Sequence, residues 1–279
     1  MENLISEIVD LLRVSYETDV SGFDKSFVEK SIDRRLVFHN NLPIKDYLPF
    51  LRINPEEGQQ LLDSLHISYS EFFRNPLTFA YLEQFVLPQL RNQKLKEKNT
   101  EIRIWSAACA SGQEAYSIAI LLDELNQQST KKINYRIFAT DNNPGELLKA
   151  KNGIFDFSAL QKITLCRAQK YFIKKNDSYS ISQTISQRVD FSLFDLLTDQ
   201  RSSPAPSIYG NFDLVICSNV LFYYMPVARK RMIEKIGKTL ALGGFLVTGE
   251  TEREFLQKSN YQEVYMNSAI FQKNVILNH

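Results

Sequence analysis

The sequence of 279 residues predicts an α/β fold with a mostly parallel sheet, preceded by an all-α region. Two observations support this prediction. Residues 1–92 place apolar side chains at helical spacing, with almost no strand pattern. From residue 101 onward, short apolar strand patterns alternate with helical ones, which is typical of a parallel sheet. We therefore expect a helical N-terminal domain with a linker at 1–92 and a second domain at 93–279.

The elements of both domains can be placed in order. Near the N-terminus, "MENLISEIVDLLRVSYETD" and "KSFVEKSIDRRLVFH" predict amphipathic helices. In the second domain, "EIRIWSA" and "YRIFATD" predict strands on either side of the helix "QEAYSIAILLDELNQQ". A helix then starts at Pro144 and stops at Gly153. The strand "FDLVICSN", the helix "PVARKRMIEKIGKTLAL" and the strand "GGFLVTGE" follow. Short β-like runs and polar turns at about 154–192 predict a small antiparallel β-subdomain inserted in the sheet domain.

Composition excludes several classes of protein. The formal net charge of +1 provides no strong field for nucleic acid or an anionic membrane. The cysteines are three and far apart and the histidines only three, so we expect neither a disulfide framework nor a metal site. The N-terminus lacks the basic start of a secretion signal, and no apolar run approaches the roughly 18 residues of a membrane span. A cytoplasmic protein is expected.

The stretch "WSAACASGQEAYSIAILL", residues 105–122, follows a predicted strand with small residues and then begins a helix. Ala107, Ser111 and Gly112 allow a ligand to approach the backbone closely, and the helix N-terminus offers N–H groups. The spacing matches neither a dinucleotide fingerprint nor a P-loop. Glu114 in the first turn suits a ligand with a positive centre. A plain strand–helix turn is the alternative interpretation.

Three further positions suggest a ligand, each with a structural alternative. Asp141 ends a strand, where an acid can bind both hydroxyls of a ribose or cap the helix that follows. Asn219 ends another strand before "VLFYY", which could face a ligand or belong to the core. Arg74 in "SYSEFFRNP" could bind a carboxylate or serve as an ion-pair or stacking residue. Together the loop and Asp141 indicate an adenosine-containing ligand without phosphate, and S-adenosylmethionine (SAM) fits that description.

These segments, in this order, resemble the SAM-dependent methyltransferases of bacterial chemotaxis receptors (CheR type). "SYSEFFRNP" is similar to the family's T-x-FFR-x-P, and "IRIWSAACASGQEAYSIAILL" to its RVWSAA-x-STGEEPYSIAM loop. "FATDNNPGELLKAKNGIF", "DFSLFDLL", "FDLVICSNVLFYY", "LALGGFLVTGETE" and "SIDRRL" have counterparts as well. The likeness runs from about residue 10 to about residue 272. It implies a Rossmann-like methyltransferase domain that esterifies glutamate side chains and releases S-adenosylhomocysteine.

The resemblance also implies roles for individual residues. Arg74 and Tyr223 should lie near the sulfonium and orient the acceptor carboxylate. The implied cofactor-binding residues are Ala107, Ser111, Gly112 and Glu114 at the methionine end of SAM, Asp141 at the ribose, Phe194 and Asp195 at the adenine, and Asn219 and Val220 beside the ligand. No metal is required.

The implied partner is the helical cytoplasmic domain of chemoreceptors, with its acidic methylation helices. Lys25, Lys30, Arg34 and Arg35 offer a basic docking row, interleaved with acidic residues. The turn in "FIKKNDSYSIS" lacks the glycine-containing loop with which some members bind a receptor C-terminal peptide, so this chain is expected to work without that tether, as a monomer. Ser218 replaces an arginine usual in the family. A small-molecule or non-receptor acceptor therefore stays open, as does a SAM-binding module without turnover.

Overall fold

The computed structural model describes residues 2–65, 68–97, 101–207, 209–257 and 259–273. The chain forms two compact units. The smaller comprises 1–67 with 221–231, and the larger comprises 68–220 with 232–279. Residues 68–92, which the sequence pattern grouped with the N-terminal helices, lie in the larger unit.

The smaller unit is built on helices α1 (Glu2–Tyr16), α2 (Lys25–Phe38), α3 (Ile44–Ile53) and α4 (Pro55–Leu65). Their apolar stripes form one core, because helical spacing places those side chains on one face of each helix. Its members include Ile8, Leu12, Ile32, Tyr47, Leu51 and Leu61. The segment 221–231 belongs to this unit: Asp24 N donates to the carbonyl of Tyr223 at 2.7 Å, and Met225 N to that of Gly22 at 2.8 Å.

The larger unit begins with helix α5 (Pro76–Tyr81), a π-helical turn (Leu82–Val86) and helix α6 (Leu87–Lys96). Among the described residues, seven strands then form one sheet in the order β6-β2-β1-β7-β8-β10-β9. The strands are β1 (Glu101–Ala107), β2 (Asn134–Asp141), β6 (Val189–Leu193), β7 (Phe212–Cys217), β8 (Leu240–Thr248), β9 (Tyr261–Glu263) and β10 (Ile270–Lys273). The first five pair in parallel, and β10 runs antiparallel to β8 and β9. The predicted mostly parallel sheet is confirmed.

The remaining helices connect or flank these strands: α7 (Gln113–Gln127), α8 (Pro144–Asn152), α9 (Leu165–Tyr171), α10 (Gln183–Ser186), α11 (Pro226–Thr239) and α12 (Glu254–Gln257). Helix α8 has the predicted ends. Asn143 caps its start by accepting from Gly145 N and Glu146 N, Pro144 is its first residue, and Gly153 ends it at φ 58°.

A second, antiparallel sheet of three strands confirms the predicted insertion. It contains β3 (Ile154–Asp156), β4 (Phe172–Lys175) and β5 (Ser178–Ile181), in the order β3-β5-β4. The connection between β4 and β5 is short, with Asn176 at φ 53°. The last strand of the predicted interval, β6, belongs instead to the large sheet, where it pairs in parallel with β2.

Strand β8 begins earlier than the sequence pattern predicts. Leu240–Leu242 continue the helical periodicity of α11, but they form the start of β8. Leu240 pairs with Phe212 of β7, and the pairing is interrupted before Leu214 meets Phe245. Tertiary pairing with a buried strand overrides the local helical preference here.

Candidate active site

The parallel strands β6, β2, β1 and β7 end at one edge of the sheet, since Ala107 pairs with Thr140 and Asp141 with Leu193. The chain leaves β1 toward β2 on one side and has β7 on the other. The crevice at such a reversal of strand order is where open α/β sheets bind ligands. The positions singled out in the sequence around β1, β2, β6 and β7 follow these strand ends.

The loop after β1 is held in an unusual backbone conformation. Ala108, Ala110 and Gly112 have φ values of 58°, 46° and 89°, in the left-handed region that costs a non-glycine residue about 1–2 kcal/mol. A hydrogen bond to the neighbouring strand β2 helps to offset this cost. In it, Cys109 N donates to the carbonyl of Thr140 at 2.8 Å. At Gly112 a Cβ would lie only 3.0 Å from that of Ala150. The turn itself therefore requires glycine at position 112.

Asp141 joins this loop to the one that follows β2. Its Oδ2 accepts from Ala110 N at 2.8 Å, and its Oδ1 accepts from Asn143 N at 2.9 Å. The carboxylate is 9% exposed. The capping interpretation of Asp141 is wrong, since Asn143 is the cap of α8. Asp141 therefore joins the loop after β1 to the loop after β2, at the edge of the sheet where the parallel strands end.

Glu114 lies between the ends of β1 and β7. Ser106 Oγ donates to its Oε1 at 2.7 Å, and the Ser218 side chain is a second hydrogen-bond partner. Burial raises the pKa of Glu114 to about 7, although both serines and the positive charge of Arg74 act in the opposite direction. A desolvated carboxylate of this kind is stabilised by a cationic ligand.

Asn219 is anchored by a carboxylate that the sequence analysis missed. Glu252 is fully buried, and its Oε2 accepts from Asn219 N at 2.8 Å and from Gly249 N at 2.7 Å. Asn219 has φ 61°, and its Oδ1 is 3.5 Å from Asn75 Nδ2. The acid three residues after the strand-end glycine in "TGETE" was the available signal. Val220 follows directly in the chain.

Arg74 lies on a turn whose neighbours, Phe73 and Asn75, have φ values of 52° and 61°. Phe73 N donates to Ser117 Oγ of α7 at 3.0 Å, which ties this turn to the helix whose first turn contains Glu114. The Arg74 guanidinium donates to the carbonyl of Tyr69 at 3.1 Å and lies 5.1 Å from the centre of its ring. Among the described residues, no carboxylate forms a salt bridge with Arg74.

The other predicted positions have distinct surroundings. Phe194 is 3% exposed and packs its ring against Trp105 at 5.6 Å, so its side chain belongs to the core. Asp195 accepts from Leu197 N at 2.7 Å and thereby closes the turn after β6. Ser111 Oγ donates to Gln113 at 2.9 Å. Ala107 is fully buried.

Tyr223 belongs to the smaller unit. Its ring lies 4.8 Å from that of Phe27, measured between centres, and its carbonyl accepts from Asp24 N. Arg74 and the positions at the strand ends belong to the larger unit. Within the described ranges, no group of three or more histidine, cysteine or acidic side chains could hold a metal ion.

The sheet order, with a strained small-residue loop after β1 and a buried acid at the end of β2, is that of a Rossmann-like α/β fold. Residues 68–270 match the family model described as CheR methyltransferase, SAM binding domain. The chain belongs to the CheR methyltransferase family, and both the predicted resemblance and the predicted cofactor are confirmed.

Curated relatives extend this match to most of the chain. A chemotaxis protein methyltransferase of Listeria innocua is 31% identical over 255 residues, 91% of each chain. One of Borreliella burgdorferi is 25% identical over 273 residues, 97% of this chain and 94% of the relative. A 104.1 kDa uncharacterised protein of Rhodobacter capsulatus is 28% identical over 248 residues, which are 89% of this chain but 25% of that protein.

Proposed function

We propose that this chain transfers the methyl group of SAM to glutamate side chains of chemoreceptors and so forms methyl esters in sensory adaptation. The observation that carries the proposal is Arg74, a guanidinium without a salt-bridge partner among the described residues, whose charge acts on Glu114 at the ligand edge of the sheet. An arginine fork matches a carboxylate in shape and charge. The names of the relatives from Listeria and Borreliella support the role in chemotaxis.

The residues present fit SAM. Glu114 is a desolvated carboxylate suited to the cationic methionine end, and the loop after β1 has small side chains there. In the proposed assignment, Ala107, Ser111, Gly112 and Glu114 hold the methionine end, Asp141 the ribose, Phe194 and Asp195 the adenine, and Asn219 and Val220 the adjoining surface. SAM supplies an electrophilic methyl group on a sulfonium, and S-adenosylhomocysteine is the product.

The chain's own residues have little acid–base work in this reaction. A glutamate carboxylate is ionised at neutral pH, since its ordinary pKa is about 4.3, so no general base is required. The task is to align one carboxylate oxygen with the methyl group and to exclude water. Arg74 is proposed to hold the carboxylate, and Tyr223 to donate a hydrogen bond to it.

The proposed docking surface for acidic receptor helices lies on α2. Lys30 and Arg34 are exposed and one helical turn apart, with Lys25 exposed at the start of the helix. Arg35 is not part of this surface, because its guanidinium binds the buried carboxylate of Glu57. The glycine-free turn at Asn176 supports action without a receptor tail peptide, and we propose that the enzyme acts as a monomer. No helix in the described ranges is long and apolar enough to cross a membrane.

Transfer from tritiated SAM to receptor-containing membranes tests the proposal, with alkaline release of labelled methanol as the readout for methyl esters. Base-labile label on the receptor supports it. Label on small molecules alone, or on another protein, would show that the chain is a methyltransferase whose acceptor is not the receptor. SAM binding without any transfer would contradict the proposal and indicate a regulatory module.

The replacement Asp141→Ala is expected to weaken SAM binding by about 1–3 kcal/mol, because buried polar groups lose their partner. The backbone amides of Ala110 and Asn143 lose their acceptor at the same time. Calorimetric titration with SAM measures the change. Asp190→Ala, which removes an exposed acid from the neighbouring strand β6, serves as the control. An unchanged affinity in Asp141→Ala would remove this residue from the site.

The affinity for SAM is expected to rise with pH across neutrality. Glu114 has a pKa of about 7 in the free protein, and only its ionised form attracts a cation. Below that pH the carboxyl group is protonated, and SAM must displace the proton. Affinity should therefore fall up to about tenfold per pH unit below 7 and level off above it. Calorimetry in buffers of different ionisation enthalpy measures the proton released, and Glu114→Gln should show a flat profile. A pH-independent wild-type affinity would contradict the role of Glu114.

Charge reversal on the proposed docking surface is expected to raise the KM for receptor without changing the affinity for SAM. Lys30→Glu with Arg34→Glu replaces attraction to acidic helices by repulsion, and the effect should shrink at high salt. Steady-state kinetics at two ionic strengths measures it. Lys131→Glu with Lys132→Glu, which alters an exposed pair in the larger unit, is the matched control. Equal KM values in both double variants would place docking elsewhere.

A further inference from the structure

The three residues before Arg74 all contact the region between β3 and β5. We call residues 71–74 the FFR segment and residues 154–181 the β-subdomain. Glu71 forms an ion pair with Lys162. The fully buried ring of Phe72 packs edge-on against Phe155 and Phe172, with ring centres 4.9 and 5.3 Å apart. The Phe73 ring lies 4.7 Å from the guanidinium carbon of Arg167. The β-subdomain therefore contacts the FFR segment at successive positions.

Arg167 is itself held on two sides, by Glu124 and by Glu83. It forms hydrogen bonds of 2.7–3.1 Å with both carboxylate oxygens of Glu124, which lies on α7. Its Nη2 also donates to Glu83 in the π-helical turn at 2.7 Å. The side chain is 17% exposed. A planar fork held by two carboxylates presents one face to the Phe73 ring, a contact that a flexible ammonium does not reproduce.

The backbone conformation around the FFR segment requires support from neighbouring side chains. Phe73 and Asn75 both have left-handed backbone conformations, which persist in non-glycine residues only where the surroundings impose them. The Phe73 amide is bound by Ser117 of α7, and its ring is bound by Arg167 and by Phe79. Arg74 lies between the two strained residues. The contacts that hold Phe73 therefore act directly beside the backbone of Arg74, while its guanidinium contacts Tyr69.

We propose that the β-subdomain positions Arg74 for methyl transfer, and that Arg167 is the positioning residue through which it acts. This inference rests on the proposed role of Arg74 as the group that holds the acceptor carboxylate. In this proposal Arg167 acts through Phe73 and not by binding a substrate. Its contribution is to lock Phe73, so that the strained turn keeps Arg74 aimed at the acceptor. The insertion is thus part of the catalytic apparatus in addition to any role in binding a partner.

Arg167→Ala and Arg167→Lys test the proposal in the full chain. Arg167→Ala should lower kcat about tenfold with receptor-containing membranes, while the Kd for SAM stays within twofold. Arg167→Lys keeps the charge without the fork and should recover part of the loss. Lys170→Ala is the matched control: it removes a cation from the same helix that contacts Gln127 of α7 and not the FFR segment. Peptides spanning 71–75 should exchange amide hydrogen faster in Arg167→Ala than in Lys170→Ala.

Combination with Arg74→Ala separates positioning from general damage. If Arg167 acts through Arg74, then adding Arg167→Ala to Arg74→Ala should cause less than a twofold further loss of kcat. A full tenfold further loss, or equal losses in Arg167→Ala and Lys170→Ala, would overturn the inference. Unchanged kcat in Arg167→Ala together with a large loss in Arg74→Ala would overturn the inference and leave the proposed function intact. Full kcat in Arg74→Ala would overturn the inference together with the proposed role of Arg74, whereas the proposed function fails if the wild type leaves no base-labile label on the receptor. Should Arg167→Ala not fold, Arg167→Lys carries the same comparisons.

Discussion

Replacement of Arg74 by alanine is expected to lower kcat for methyl transfer about a hundredfold, with SAM affinity within about twofold of wild type. Loss of alignment between reacting groups has effects of this size. Arg74 has no salt-bridge partner among the described residues, so its removal does not leave a carboxylate that has lost its ion pair. Its charge does act on Glu114, and a small change in SAM affinity through that carboxylate is consistent with the twofold limit.

Two further variants sharpen this experiment. Arg74→Lys keeps the charge but loses bidentate geometry, so it should retain a larger share of kcat than alanine does. Arg136→Ala is the control, because it removes a half-exposed arginine whose partner is the surface acid Asp190, a type of pair that contributes little. The two activities are compared by release of labelled methanol, and SAM binding by calorimetry. Full activity in Arg74→Ala, or loss of SAM binding equal to the loss of activity, would contradict the proposed role.

Glu57→Ala is expected to lower the free energy of unfolding by about 3–5 kcal/mol, the usual cost of breaking a buried ion pair from one side. Glu57 is 5% exposed. It accepts from the Arg35 fork, from Tyr47 at 2.7 Å and from the ring of His39 at 2.7 Å. Its loss leaves the Arg35 charge without a partner and the fully buried hydroxyl of Tyr47 without this acceptor.

The same network predicts how stability depends on pH. Burial acts to raise the pKa of Glu57, but the hydrogen bonds from Arg35, Tyr47 and His39 outweigh it and hold the pKa at about 2, below its ordinary 4.5. Because the folded pKa is depressed, this contribution is present above pH 4.5 and is lost as the pH falls toward 2. The shift corresponds to about 3 kcal/mol. Stability of the wild type should therefore fall over that range, and Glu57→Ala should show a smaller decrease.

Urea unfolding of Glu57→Ala and of Glu56→Ala measures the first effect. Glu56 precedes Glu57 in the first turn of α4 and is exposed, so its replacement should change stability by no more than about 0.5 kcal/mol. Equal changes in the two variants would show that the Glu57 network contributes nothing specific. Unfolding curves at pH 7 and pH 3 test the pH dependence.

The Glu57 network also shows that a charge pattern in the sequence does not reveal which charged side chains are exposed. In "SIDRRL" one acid precedes two adjacent arginines, and the pattern predicts both arginines as members of one basic row. The structure separates them: Arg34 stays exposed, whereas Arg35 turns inward to a carboxylate 22 residues further along the chain. Neighbouring helical residues point about 100° apart, but which face meets another helix is decided by packing.

The sequence by itself determined the features that depend on a few neighbouring residues. Strand and helix periodicity placed β1, β2, α7 and α8, Pro144 and Gly153 marked the ends of α8, and the ordered motifs identified the methyltransferase domain. The candidate positions Asp141 and Asn219 were predicted from strand ends and Glu114 from the first turn of a helix, features that can be read locally. Their assignment to particular parts of SAM stays a prediction.

Only the tertiary structure decided which distant residues meet. The bond between Ser218 and Glu114 depends on β7 lying beside β1, and the anchoring of Asn219 by Glu252 depends on the adjacent ends of β7 and β8. Leu240 entered a strand because Phe212 was there to pair with it. Arg167 contacts Phe73, which precedes it in the chain by almost a hundred residues. Sheet order and side-chain packing set these contacts, and neither leaves a periodic trace in the sequence.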